Sequence, residues 1–429
     1  MLINRAAGLD FGTTNSVVAL VGPEQPTPYL VPLDPIGDRE IFRSALCFWQ
    51  DEDVRGGLMV EAGPAAIRDY LDYPDGSRFL QSFKSVAASA SFDSAPVFNK
   101  RYRFEELGQS FLDRLAAHAD GALSSLDRLI VGRPVRYAGS RPDPTLARNR
   151  YDAMFAGREA EVHYVFEPLA AAFSYATRLS EPATLLVADF GGGTSDFSVV
   201  RVEQPGSERR CVPLGHAGVG IAGDRFDYRI VDRLVLPFLG KGSSYRSFDK
   251  VLDIPGGYFA DFADWSKLAL MRNRRTLSEL ERLQRSAVDP DAIGRMIALI
   301  EHEQGFPLYD AVGALKRALS QAERAEFRFN GGGVDIATSV TRAAFERWIA
   351  DDIARIAGAV DEALLDAGVE AGAIDRVFLT GGTSLVPAVR RLFEDRFGSE
   401  RIVSGGELTS IAHGLALIAQ EEDVSAWTA

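Results

Sequence analysis

Two short stretches of the chain carry the same side chains at the same spacing. Residues 8–16 read GLDFGTTNS and residues 187–196 read VADFGGGTSD. In each, an aspartate (Asp10 or Asp189) ends an apolar run just before a turn of glycine and threonine. A glycine-rich turn has no side chains in the way and presents backbone N–H groups, so it can wrap an anion such as phosphate. Threonine hydroxyls add donors. A carboxylate beside a phosphate repels it unless a cation lies between them. Mg2+ suits that place, because it keeps several waters and uses few carboxylates. Two such turns facing each other would clamp the β- and γ-phosphates of a nucleotide. One copy alone is more often a plain hairpin. The second copy, with a third glycine turn in LTGGTS (379–384), favours the functional reading.

The flanking residues show what must position these turns. The runs 5–10 and 16–22 read as the strands of a β-hairpin, and so do 184–189 and 195–202. A second repeat supports the first: LDRLIVGRP (126–134) resembles IDRVFLTGG (374–382). Each reads as a buried strand ending in a glycine turn, and each follows an amphipathic helical stretch, 104–123 or 341–367. The order hairpin, long connection, helix, strand, helix thus occurs twice. This is a duplicated α/β unit rather than a short-period solenoid. The expected lobes are 1–180, with an insert over about 38–103, and 181–429, with an insert over about 220–338. Within the second insert, 259–286 and 311–327 have helical pattern, and turns interrupt it at 239–244, 254–258 and 330–333. A last helix over about 408–420 is expected to pack back toward the first lobe. The polar end AQEEDVSAWTA is too short for a further domain.

The bulk properties narrow the class. A chain of 429 residues with 46% apolar and 25% charged residues is long enough for real cores. A net charge of −13 argues against nucleic acid as a partner, since binding its backbone needs cationic surfaces. The two cysteines, Cys47 and Cys211, have no metal-ligand spacing and fit a reducing compartment. No signal-peptide core is visible, and no apolar run nears the ~20 residues that span a bilayer. A soluble cytoplasmic protein is expected, with no membrane partner. The five histidines are scattered, and His216 and His413 read as structural.

Five stretches in order, GLDFGTTNS, FEPLAAAFSYA (166–176), VADFGGGTSDFSVV, VFLTGGTSLVPAVR (377–390) and TSIAHGLAL (409–417), resemble the ATPase domain of the DnaK-like, seventy-kilodalton heat-shock chaperones. The likeness spans nearly the whole chain and is closest to the small YegD-type branch. It implies a duplicated actin-like (ribonuclease-H-like) α/β fold, with two lobes, a nucleotide cleft and two inserted subdomains. It implies ATP or ADP with Mg2+, and K+ beside Asp196. Gly12, Thr13, Thr14 and Asn15 match the first phosphate loop; Gly191, Gly192, Gly193 and Thr194 match the second. Asp10 and Asp189 match the carboxylates that hold the water shell of Mg2+. Glu167 and Asp196 match the acids near the attacking water, and Thr194 the hydroxyl near the γ-phosphate. Lys84 stands where the family carries its catalytic lysine. Lys316, Arg317 and Ser320 match the adenosine-binding helix, and Gly381, Gly382 and Ser384 the loop at the adenosine and α-phosphate. Glu167 before Pro168 also reads as a helix start, where a carboxylate meets the helix dipole.

The chain departs from the family's pattern in two ways. Gly313 stands where the adenosine helix usually carries a glutamate, which removes an acceptor from the ribose. The sequence also ends before the family's linker, peptide-binding β-sandwich and lid. The expectation is a slow, monomeric Mg·ATPase with nucleotide-dependent lobe closure that gates binding to a protein partner and does not respond to unfolded peptides. Alternatives are a filament-forming actin-like ATPase and a nucleotide-binding scaffold with little turnover. A sugar-type kinase would need a base aimed at a hydroxyl, and none is evident.

Overall fold

The computed structural model describes residues 5–22, 25–34, 39–51, 57–74, 76–139, 141–204, 210–406, 408–425 and 427–428. The expected lobe limits at 1 and 429, and the start of the first insert at 38, lie outside these residues.

Two mixed sheets share one strand order. The first runs Glu161–Phe166, Arg128–Arg133, Ala6–Phe11, Asn15–Gly22, Gln25–Leu30. The second runs Ile402–Val403, Arg376–Thr380, Ala183–Phe190, Ser195–Gln204, Arg210–Val219. In each, a hairpin lies beside a parallel strand from far along the chain: Ala6 pairs with Arg128 and Leu185 with Arg376. The duplication read from the two Asp-Phe-Gly phrases is therefore a duplication of topology.

Two helices hold the sheets together. Glu167–Ala176 is buried along all ten residues, and Ser410–Ile418 packs beside it. Their small residues allow close approach. A Cβ on Gly414 would lie 1.7 Å from the Ala170 carbonyl oxygen, and one on Gly8 2.4 Å from the Ala416 nitrogen. A shared core forms around them, with Ala6, Val17 and Ala19 from one sheet and Leu185, Val187 and Val200 from the other. Beyond Ser410–Ile418, Trp427 packs edge-on to Phe173 at 5.1 Å, and Arg128 donates to the Ala419 and Glu421 carbonyls.

The long connections depart from the simple helical reading. The stretch 259–286 is covered by three helices, Gly256–Ala263, Trp265–Met271 and Arg274–Ser286. Asp264 and Asn273 break it, each accepting a backbone N–H as an N-cap. The stretch 311–327 divides into the end of a helix, Gly305–Gln321, and a strand, Arg324–Gly331. The helix expected over 104–123 ends at His118, because Asp120 and Gly121 adopt left-handed backbone at φ 47° and 76°.

The two inserts are in contact. Glu303 accepts from Arg78 at 3.0 Å and pairs with Arg272 at 2.7 Å. Its carbonyl accepts from the Tyr70 hydroxyl. The Tyr70, Phe79 and Phe306 rings pack beside this group, with centroids 4.8–6.0 Å apart.

Candidate functional site

The two phosphate-type turns face each other where the lobes meet. A Cβ on Gly192 would lie 2.4 Å from the Thr14 hydroxyl, so only glycine lets the turns approach this closely. Gly12 is equally constrained, with the Asn15 carbonyl 2.1 Å from its Cβ position. The second turn is closed by the Gly191 N–H donating to the Thr194 carbonyl at 3.0 Å. Asp10 and Asp189 are the last residues but one of the inner strands of the two sheets, just before these turns. Asp189 stands directly across the hairpin from Asp196.

Lys84 comes to this site from the first insert. Ser82 takes left-handed backbone, φ 53°, and starts the short 3-10 turn Phe83–Val86 that carries it. Lys84 Nζ lies 2.7 Å from Glu167 Oε1 and 5.7 Å from the Phe11 ring centre, and both charged side chains are buried. It is not a solvated surface lysine. Pro168 and the helix start beneath it fix the direction of Glu167.

The acids crowd one another. Burial, reinforced by Glu167 and partly offset by Lys84, pushes the Asp10 carboxyl up to about 8. Asp189 is raised well above the usual carboxylate range, first by burial and then by the charges of Glu167, Asp10 and Asp196. Asp196 is pushed up to about 7 by burial and Glu167, against hydrogen bonds from the Thr194 hydroxyl and the Arg136 backbone N–H. Burial alone would lower Lys84, but the Glu167 carboxylate more than offsets it and the ammonium is held above its usual value.

These residues fit a bound Mg2+. Three buried acids, Glu167, Asp189 and Asp196, and the half-buried Asp10 share one buried ammonium, an imbalance that a divalent cation would relieve. Asp196 Oδ2 is buried without a hydrogen-bond partner among the described residues. Carboxylate oxygens are the donors Mg2+ takes. Among the described residues no three His, Cys, Asp or Glu side chains could ligate an ion directly. The fit is to an ion held through its waters.

The third glycine turn and the Gly305–Gln321 helix close the site from the second lobe. Gly381 has φ 80°, and a Cβ there would lie 2.1 Å from the Phe190 carbonyl, which seats this turn on the end of the Asp189 strand. The Ser384 hydroxyl donates to the Gly381 carbonyl at 2.7 Å and stabilises the turn. Nothing lies within 4 Å of the Gly382 Cβ position. Lys316 reaches the start of the Gly223–Leu234 helix, pairing with Asp227 at 2.7 Å and donating to the Gly223 carbonyl at 3.2 Å. Arg317 is exposed, and the Ser320 hydroxyl donates to the Lys316 carbonyl within its own helix. The Gly313 Cβ position lies 3.2 Å from Arg317 Nη1.

Three residues not anticipated from the sequence belong to this neighbourhood. Arg43 donates to the Asn15 side chain at 2.9 Å and so braces the first turn. The Asp224 N–H donates to the Gly192 carbonyl at 2.8 Å and braces the second. Thr383 donates to the Gly191 carbonyl at 3.4 Å. Asp224 is the acidic residue in the first turn of the Gly223–Leu234 helix, a readable helix-start signal; no local signal marks Arg43.

Comparison with known proteins agrees with this fold. The family model described as Hsp70 protein matches residues 88–247 and 303–421, more than half of the chain. Residues 248–302 fall between the matched segments. The chain is 26% identical to a protein named chaperone protein DnaK from Deinococcus proteolyticus, over 96% of this chain and 58% of that protein. It is 24% identical to a protein of the same name from Trichormus variabilis, over 93% of this chain and 52% of that protein. The chain thus spans little more than half the length of these relatives. No helix among the described residues is long and apolar enough to cross a membrane.

Proposed function

The chain belongs to the Hsp70 family, and on that premise we propose that it binds Mg·ATP or Mg·ADP between its lobes and hydrolyses ATP slowly. One observation carries this reading: two aspartate-led glycine turns, one per lobe, touch at Gly192 and Thr14 beside a buried Lys84–Glu167 pair. In the plain actin-like frame of two matching sheets, that junction is where phosphates would lie.

The work of such a site is positioning and charge neutralisation rather than covalent catalysis. The backbone amides of Thr13, Thr14 and Gly192–Thr194 would hold the β- and γ-phosphates, with the Gly191 N–H closing the second turn. Lys84 would counter charge that develops on the γ-phosphate. Glu167, held by Lys84, and Asp196, with its open Oδ2, would orient the attacking water. Lys316, Arg317, Ser320 and the Gly381–Ser384 turn would flank the adenosine. Mg2+, when bound, would supply positive charge to offset that of the phosphates, and Asp10 and Asp189 would hold it through water. The acidic neighbourhood of Asp196 would also suit K+.

Closing the lobes on a nucleotide would move the two inserts relative to each other. We read this movement as the signal a protein partner would sense, most of all on residues 220–338. A chaperone role, as named for the relatives, rests on likeness over about half of their length.

Turnover by Asp10→Asn and Asp189→Asn tests the reading. Each should lower Mg·ATP hydrolysis at least about tenfold, or roughly 1.4 kcal/mol on the barrier. Wild-type rates in both would remove the clamp. Pull-downs in ATP and in ADP test the gating, which requires that recovery of a partner differ between them.

A further inference from the structure

Arg43 comes to the first phosphate turn on a short strand, Phe42–Arg43, that pairs antiparallel with Asn15 and Ser16. The segment is fastened to the turn beyond that pairing. The Ser44 N–H donates to the Thr14 carbonyl at 2.9 Å, and the Ser44 hydroxyl donates to the Gly12 carbonyl at 2.7 Å. Successive side chains of a strand point to opposite faces. Phe42 and Ser44 are buried, so the half-buried Arg43 is turned the other way. There it lines the cleft with Thr13, Thr14 and Tyr309.

Its guanidinium is held in place but not neutralised. One N–H donates to the Asn15 side chain at 2.9 Å, and the group lies 5.9 Å from the centre of the Tyr309 ring. Among the described residues it forms no ion pair with a carboxylate. Lys84 and Lys316, by contrast, are each paired with an acid at 2.7 Å, Glu167 and Asp227. A guanidinium carries five N–H donors in a planar fork that matches two oxygens of a phosphate. Arg43 thus brings spare donors and an unpaired charge to the edge of a phosphate turn, on a backbone that cannot easily shift.

We propose that Arg43 is a nucleotide-contacting residue whose guanidinium pairs with the β-phosphate. The proposal rests on the nucleotide reading above and adds a residue to that site. Position selects the β-phosphate. Lys84 reaches the turns beside Glu167, where the γ-phosphate and the attacking water are placed. Arg43 lies instead between the first turn and the Gly305–Gln321 helix, whose Tyr309 stands one helical turn before Gly313. Its charge also reaches Asp224 at the second turn, a carboxyl that burial and Asp227 push up to about 7. That place is between the γ end of the site and the adenosine.

A cation there acts twice. It binds the nucleotide, and it stabilises the departing ADP, because negative charge grows on the β-phosphate as the bond from the γ-phosphorus to the bridging oxygen breaks. Asn15 then orients Arg43 as much as Arg43 braces Asn15.

Calorimetric titrations of ADP and of AMP, each with Mg2+, into the full chain and its variants test this. Arg43→Gln removes the charge and keeps a donor for Asn15. It should lower ADP affinity at least about tenfold, while AMP, which lacks the β-phosphate, binds within about twofold of wild type. Its kcat with ATP should also fall at least about tenfold. Arg43→Lys should regain part of both losses, since the charge returns without the fork. Asn15→Ala, which removes the brace and keeps the guanidinium, should cost less ADP affinity than Arg43→Gln. An arginine that only braced the turn would shift ADP and AMP together. Equal changes for ADP and AMP in Arg43→Gln, or none for either, while the wild-type chain binds ADP, would overturn the proposal and leave the nucleotide reading standing. If the wild-type chain binds neither nucleotide, both fall.

Discussion

Lys84 Nζ lies 2.7 Å from Glu167 Oε1, in a buried pair that ties the first insert to the helix joining the two sheets. Removing one partner of such a pair costs about 3–5 kcal/mol, because the other charge stays buried and uncompensated. Lys84→Ala should therefore lower both the melting temperature and turnover, with ADP affinity nearly unchanged. The double variant Lys84→Met/Glu167→Gln should regain most of the stability but not the turnover. Thermal melts and an ATPase assay on both variants separate the two effects. Full activity in the double variant would show that the pair is only structural.

The crowded acids make stability depend on pH. Asp10 and Asp196 have folded values near 8 and 7, and Asp189 is raised too, against about 3.9 in an unfolded chain. Carboxyls raised in this way contribute stability that is full below the unfolded value and lost as pH climbs through the folded ones. The nucleotide-free protein should therefore melt at lower temperature at pH 8.5 than at pH 6. Asp10→Asn should flatten that slope, and Mg·ADP should restore the melting point at high pH. A nucleotide-free protein that grows more stable from pH 6 to 8.5 would contradict the burial and crowding of these acids.

Gly313 faces Arg317 one helical turn on, with Arg317 Nη1 3.2 Å from its Cβ position. Gly313→Glu would place a carboxylate beside that guanidinium, toward the expected ribose. One hydrogen bond contributes about 0.5–1.5 kcal/mol, so ADP should bind a few-fold tighter by calorimetry. No gain would mean that Arg317 captures the new carboxylate and the ribose has another partner.

Glu303 joins the inserts through Arg78 of the first, and Arg272 of its own insert pairs with it as well. Charge-assisted hydrogen bonds contribute about 1.5–3 kcal/mol. Glu303→Gln should speed ADP release at least about tenfold, read by stopped flow with a fluorescent ADP analogue. An unchanged release rate would show that the inserts do not limit exchange.

The parts of this architecture that were legible in the sequence are local. Glycine, threonine and β-branched residues around Asp10 and Asp189 mark two hairpins, because a hairpin's turn and strands lie within about twenty residues. Helical periodicity found the residues of 259–286 but not the breaks at Asp264 and Asn273, where a polar side chain competes for backbone N–H groups. The helix Pro290–Glu301 carries readable signals of its own, since Asp289 caps it and Pro290 begins it. The burial of Lys84 depends on Glu167, 83 residues away. Arg43 beside Asn15 and Asp224 beside Gly192 gain their meaning only when distant segments meet.

The central claim is that two aspartate-led turns hold a nucleotide through Mg2+. Calorimetric titration of ADP into the protein, with Mg2+ and then with EDTA, tests it most directly. One site per chain is expected, with affinity falling at least about tenfold (roughly 1.4 kcal/mol) on metal removal. The double variant Asp10→Asn/Asp189→Asn should lose that metal dependence. Absence of binding by the wild-type chain, or equal affinity with Mg2+ and with EDTA, would contradict the account.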